Sequence, residues 1–329
     1  MRPKAVIPVA GVGTRLRPHT HTVPKALITV AGKPILAHIL DELPRLGIDE
    51  AVLVVGHMGD QITKYVTERY PQLKVDFVEQ TERLGLGHAV HLTASYGRGR
   101  PLLIILGDTI FQADFTEVLG CPEDRIGVKE VDDPRRFGVV ELQDGYVKRL
   151  VEKPDHPTSN LAIVGLYWVS DSGPLYDALA DIVRNDQRTK GEFQLTDALQ
   201  RMIDAGRRMR PFRVDGWFDC GKRETLLATN RHLLELKRAD VPCLIEGAQI
   251  IEPVAIDPTA EVVGSIIGPY VTIAARATVR SSIVRNSIIN EAALVEDMLL
   301  DASVVGDHAM VRGAFRKLSV GDSSEIQLT

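Results

Sequence analysis

Cysteine is scarce in this chain: Cys121, Cys220 and Cys243 are the three among 329 residues, an odd number at wide spacing. That excludes a disulfide framework and a zinc knuckle, and it fits a reducing compartment. Positive charge is not in excess either, with 39 basic against 44 acidic side chains and a net charge of -5. No global field exists to collect nucleic acid or an anionic membrane surface, so neither is an expected partner and any phosphate recognition must be local. No apolar run reaches 18 residues, and the apolar part of the opening MRPKAVIPVAG is far shorter than a secretory h-region. A soluble, cytoplasmic protein is expected. What the chain does have is length and a hydrophobic content of 44%, enough for about two domains.

Short β-branched runs alternate with helix-period segments: AVIPVA, PILAHILDELPRLG, EAVLVVG, GDQITKYVTERY, KVDFVEQ, GLGHAVHLTASYG and PLLIILGD. Such alternation implies βαβ units and a mostly parallel α/β sheet covered by helices on both faces. Ligands of these sheets lie beyond the carboxyl ends of the strands, which puts the loop after AVIPVA, Gln80 and Asp108 along one crevice. From about Ile126 the pattern turns to hairpin-linked strands, with QDG as a turn signal, read as a substrate-facing lobe of the same domain.

Beyond about Glu246 the helix signal stops and a repeat begins. Aliphatic residues fall six apart in triplets: Ile250, Ile256, Val262; Ile267, Ile273, Val279; Ile283, Ile289, Val295; Leu299, Val305, Val311. A six-residue apolar period predicts a parallel β-helix whose three faces each send one aliphatic side chain inward per coil. A β-sandwich would alternate every second residue instead.

The loop PVAGVGTRLRPHTHTVPKAL places Gly11, Gly13, Arg15 and Lys25 directly after the first strand. It is not a dinucleotide fingerprint, because Leu16 stands at the third glycine position and Pro18 and Pro24 oppose an early helix. It is not a Walker loop, because no Gly-Lys-Ser/Thr occurs in it. Two readings stay open: an extended loop that brings backbone N–H groups and fixed charge to a triphosphate, or a plain turn with solvated basic residues. Asp108 alone likewise reads as a ligand-facing carboxylate or as a turn residue.

The loop together with PKALITVAGKPIL, LGDTIF, DDPRRFGVVE, VEKP, SNLAIVGLY, GEFQLTDAL and WFDCG, in that order across nearly all of residues 4 to 235, resembles the sugar-1-phosphate nucleotidyltransferases. Within that family these motifs are most similar to the glucose-1-phosphate thymidylyltransferases, and the repeat with the closing KLSVGDSSEIQL resembles their long form. Ala10 departs from the usual pair of glycines, and IPVAGVGTR and LGLGHAV are similar to bacterial UTP:glucose-1-phosphate uridylyltransferases. The resemblance implies a Rossmann-like mixed-sheet nucleotidyltransferase domain over residues 1–240 and a left-handed parallel β-helix over 246–329. It implies in-line attack of a sugar phosphate on the α-phosphorus of dTTP or UTP, assisted by Mg²⁺, with glucose 1-phosphate as the acceptor.

Residue by residue, the resemblance puts Ala10, Gly11, Gly13, Thr14, Arg15, Lys25, Gln80, Gly85 and Asp108 on the nucleotide. Asp108 and Asp219 are the implied metal carboxylates, while Arg15, Lys25 and Lys153 complete the catalytic set. Gly138, Glu152, Lys153, Val164 and Lys190 are implied on the sugar phosphate, Lys190 standing where an arginine is usual. His19, His21, His88 and His91 give no metal spacing and are expected to be solvated or capping residues. A non-catalytic sensor homologue is the rival class, against which the charged set is complete. The β-helix, with His308 as its sole histidine, is expected to mediate a homo-oligomer and not acyl transfer.

Overall fold

The computed structural model describes residues 2–236 and 244–314; Cys243 and KLSVGDSSEIQL lie outside the described residues. Two compact units are present: Met1–Thr29 with Lys33–Thr229, and Val30–Gly32 with Asn230 onward, so the division falls within the helix Arg223–Leu236.

The first unit is built on four parallel strands in the order Leu102–Ile105, Lys4–Pro8, Glu50–Val55, Lys74–Glu79. The sheet becomes mixed where Leu161–Val169 pairs antiparallel with Leu102–Ile105 and with Asp124–Glu130. Its far edge is the hairpin Gly138–Gln143 and Tyr146–Glu152. Asp144 and Gly145, at φ 53° and 79°, give that hairpin the left-handed pair that a two-residue turn needs. Alternate side chains of one strand enter different cores: Ala5 and Ile7 join the cluster over Leu36, Leu40 and Ile62, whereas Val6 joins the one over Leu175, Leu179 and Leu199. Both faces are therefore covered, as parallel sheets require.

The two ends of the strands differ. At their amino ends Glu50 accepts from Arg100 at 2.8 Å, with Lys4 and Lys74 at 3.7 and 3.8 Å. The Arg100 hydrogen bond outweighs burial and holds the Glu50 carboxyl down at about 2. The carboxyl ends carry the long loops.

In the second unit each coil adds one strand to each of three parallel sheets. Two sheets keep the expected inward rows, Ile256–Ile273–Ile289–Val305 and Val262–Val279–Val295–Val311. The remaining sheet corrects the sequence reading. Its inward row is Ile250–Ile267–Val284–Leu300, whereas Ile283 and Leu299 face outward and are 44% and 79% exposed. The cause is the corner: Pro253 and Pro269 stand in six-residue steps from Ile250 to Ile256 and from Ile267 to Ile273, while Val284 to Ile289 takes five residues. A one-residue difference in a strand reverses the side chain's face.

Asn230 is buried in this unit, its Oδ1 accepting from Ala31 N–H at 2.9 Å and from the Thr272 hydroxyl at 2.6 Å, while its Nδ2 donates to Tyr270 O at 3.2 Å.

Candidate active site

Prolines 18 and 24 break the loop after the first strand into three single turns, Thr14–Leu16, His19–His21 and Lys25–Leu27. Gly13 adopts φ 66°, and a Cβ there would lie 2.9 Å from Lys25 Cβ, so only glycine lets the loop fold back on that lysine. The Thr20 hydroxyl donates to Gly13 O at 2.9 Å and fixes the fold-back. Lys25 is thereby buried to 7% exposure, and its Nζ donates to Asp108 Oδ2 at 2.8 Å. Burial pushes the Asp108 carboxyl up, but the charge and hydrogen bond of Lys25 outweigh it and hold the group below the usual aspartate value.

Asp219 comes to Asp108 through a two-stranded ladder. Gly216–Asp219 runs antiparallel to Thr109–Gln112 with Asp219 opposite Thr109, and Cys220 N–H donates to Asp108 O at 3.3 Å. A Cβ on Gly221 would meet Asp219 Oδ1 at 2.6 Å and Arg15 Nη2 at 2.9 Å, so the missing side chain leaves room for both groups. Cys220 beside them is inert, its thiol pushed up to about 12 by burial.

Two cavities share this centre. One, of 520 Å³, is lined by Ala10, Gly11, Gly13, Thr14, Gln80 and Gly85, together with Arg15, Lys25 and Asp108. The other, of 610 Å³, is lined by Gly138, Glu152, Lys153 and Val164, together with Arg15, Asp108 and Asp219. Arg15 and Asp108 line both. The Glu152 carboxylate accepts from the Thr196 hydroxyl at 2.8 Å and has Lys153 Nζ at 3.4 Å.

One residue implied by the resemblance is not brought in. Lys190 lines neither cavity; its Nζ lies 3.3 Å from both oxygens of the exposed Asp155, beyond the Thr189–Glu192 turn that points it away. Arg136, which does line the second cavity, has no ion-pair partner among the described residues. It and Thr196 sit inside the motifs DDPRRFGVVE and GEFQLTDAL, which signalled the region without singling them out. His88 is no solvated residue: it is half-buried, with its Nδ1 at 3.1 Å from Gln80 Nε2.

The two carboxylates are of the kind that hold a hard, oxygen-preferring divalent cation. Among the described residues no cluster of three or more His, Cys, Asp or Glu side chains is present, so a closed protein cage is not available. Two carboxylates on one cavity wall match Mg²⁺, which takes one or two protein carboxylates and completes its shell with water and substrate phosphates.

The fold thus brings a buried lysine, an arginine and two aspartates to two adjoining cavities. The chain belongs to the nucleotidyl transferase family, which it matches over residues 4–235. It is a sugar-1-phosphate nucleotidyltransferase. A glucose-1-phosphate thymidylyltransferase of Streptomyces griseus is 33% identical, covering 99% of both chains. A UTP–glucose-1-phosphate uridylyltransferase of Haloferax volcanii is 36% identical over 67% of this chain and 92% of its own. In fold, a UDP-glucose pyrophosphorylase solved with UDP-glucose superposes with a TM-score of 0.61 at 24% identity, covering 72% of this chain and all of that one. No helix among the described residues is long and apolar enough to cross a membrane.

Proposed function

We propose that the chain transfers a thymidylyl group from dTTP to glucose 1-phosphate, giving dTDP-glucose and pyrophosphate. The observation that carries this reading is the sharing of Arg15 and Asp108 between two cavities, which lets the phosphates of two substrates meet over the same charged groups. A sugar-phosphate oxygen attacks the α-phosphorus as the bond to pyrophosphate breaks, one P–O bond replacing another with no enzyme-bound intermediate. Such transfer depends on positioning and charge neutralisation. Arg15 takes the leaving β and γ phosphates, and Lys25 lies where charge develops on the α-phosphoryl group. Lys153 and Arg136 hold the sugar phosphate. Glu152, fixed by Thr196, and the backbone of Gly138 and Val164 meet the glucose hydroxyls. Asp108 and Asp219 would hold Mg²⁺, which when bound neutralises phosphoryl charge and polarises the reacting oxygens.

A second reading, with UTP as the donor, is favoured by Ala10 and by the uridylyltransferase relative. One methyl separates thymine from uracil, worth only about 0.8 kcal/mol of burial, or roughly fourfold. Pyrophosphate release across dTTP, UTP, ATP and GTP with a panel of sugar phosphates tests both. The expected result is dTTP somewhat ahead of UTP, within about a hundredfold in kcat/KM, with purines far behind. A preference for ATP or GTP removes the base assignment, and no turnover with any nucleotide restores the sensor reading.

The second unit is assigned to assembly in a cytoplasmic homo-oligomer. Support comes from its outward row Gln249–Ile266–Ile283–Leu299, three aliphatic residues in register on one sheet face.

A further inference from the structure

Gln80 is buried to 6% exposure at the wall of the glycine-loop cavity, and its side-chain amide is held at two points. Nε2 donates to Gly85 O at 3.1 Å, and the same atom lies 3.1 Å from His88 Nδ1. A carbonyl oxygen only accepts, so the amide nitrogen and not the amide oxygen must face Gly85. The amide carries two hydrogens, and His88 Nδ1 can take the second only as the neutral ring protonated on Nε2.

We propose that His88 is a positioning residue for base recognition: by occupying the second amide hydrogen of Gln80 it leaves only Oε1 to meet the nucleotide, which selects bases bearing a ring N–H. The inference rests on the pyrimidine-nucleotide reading given above. Uracil and thymine present N3–H between two carbonyls, and N3–H donates to Oε1. Gly85, whose own N–H has no acceptor among the described residues, lines the same cavity and supplies a donor for a neighbouring carbonyl. Cytosine in that pose sets a bare ring nitrogen against Oε1, acceptor against acceptor, and is refused. Rotating the amide by half a turn would admit it, but that rotation turns Oε1 onto Gly85 O and abandons the His88 bond.

The surroundings of His88 favour its neutral form. Burial, and then the neighbouring His91, lower its tendency to protonate, Glu82 acting in the opposite sense. The Phe193 ring lies 6.3 Å from the imidazole centroid, and the Arg188 guanidinium lies over that phenyl ring at 4.7 Å.

The test compares kcat/KM for dTTP, UTP and CTP with glucose 1-phosphate in the full chain and in His88→Phe. The full chain is expected to favour the N3–H bases over CTP by at least about a hundredfold, since a site built on hydrogen bonds rejects a mismatched partner strongly. In His88→Phe that ratio falls by about tenfold, the scale of one hydrogen bond, and the change lies in KM more than in kcat. An unchanged ratio in a folded, active His88→Phe overturns the inference, as does a full chain that accepts CTP as readily as UTP while remaining active. Failure of all three nucleotides with the full chain overturns the pyrimidine reading itself and this inference with it. Nitrogen-15 NMR of the unaltered protein gives a second check that needs no variant: the His88 proton is expected on Nε2, and a proton on Nδ1 overturns the inference.

Discussion

Asp108→Asn exchanges one oxygen for one nitrogen at the centre of the site, and its two consequences differ enough in size to separate chemistry from architecture. In stability, the substitution takes the carboxylate away from Lys25, whose side chain is only 8% exposed, at an ion-pair distance of 2.8 Å. Stripping the partner from a fully buried charge costs about 3–5 kcal/mol. The Asp108 side chain, however, is 46% exposed, so water and the retained amide oxygen recover much of that cost and about 1–2 kcal/mol remains. For a unit of this size the melting temperature then falls by about 2–8 °C. In activity, losing a charge that acts on the reacting phosphoryl groups lowers kcat by about a hundredfold or more, or about 2.7 kcal/mol of transition-state stabilisation. Continuous pyrophosphate release and thermal unfolding by circular dichroism measure the two effects on one preparation. A kcat within about tenfold of the parent, alongside the expected melting shift, refutes the reasoning and leaves Lys25–Asp108 as a structural ion pair.

Four further outcomes follow from particular contacts. Gly138→Ala puts a Cβ 3.1 Å from Glu152 Oε2 and 2.8 Å from Ile163 Cδ1, both ends of movable side chains, so folding is little changed while KM for the sugar phosphate rises about tenfold, read by steady-state kinetics. Glu50→Gln tests linkage far from the crevice: the Glu50 pKa is depressed from 4.5 to about 2 on folding, so its stabilisation is complete above pH 4.5 and is lost as pH falls towards 2. The variant should therefore melt below the parent at pH 7, and their melting temperatures should converge over that acid window. Asn230→Leu leaves Ala31 N–H, the Thr272 hydroxyl and Tyr270 O without their partner and should destabilise the second unit by about 2–4 kcal/mol in denaturant titration. Leu299→Lys, at a position 79% exposed, should leave melting unchanged yet lower the mass by light scattering; an unchanged mass dissociates the aliphatic row from assembly.

Much of the architecture was legible because periodicity and strand order carry it. AVIPVA, EAVLVVG, KVDFVEQ and PLLIILGD became the four parallel strands, and the strand-end rule brought the loop, Gln80 and Asp108 to one cavity. The β-helix was legible from its six-residue steps, but two positions in one of its three rows were not. Ile283 and Leu299 look as apolar as the Val284 and Leu300 that replace them inside. Where two adjacent residues are both aliphatic, hydrophobicity cannot say which faces inward, and the length of the following corner tells them apart: six residues at the proline corners, five after Val284.

The site shows a different limit, because its decisive features are pairings between residues far apart in the chain. Lys25 and Asp108 are separated by 83 positions, and nothing local in PKAL states that the lysine is buried or that its partner is the LGD aspartate. The fold-back at Gly13 buries it, and that depends on a φ of 66° and a Thr20 hydroxyl seven residues on. Lys190 differs from Lys25. A basic residue in a matching motif has the right charge, but its side chain lies elsewhere: Lys190 Nζ is 3.3 Å from Asp155 and lines neither cavity. Arg136, in the turn Pro134–Arg136 just before the strand Gly138–Gln143, lines the cavity together with Phe137 and Gly138. Cation placement therefore follows local backbone geometry and not charge alone: Arg15, Lys25 and Arg136 stand on single turns and Lys153 directly after a strand, and each lines a cavity.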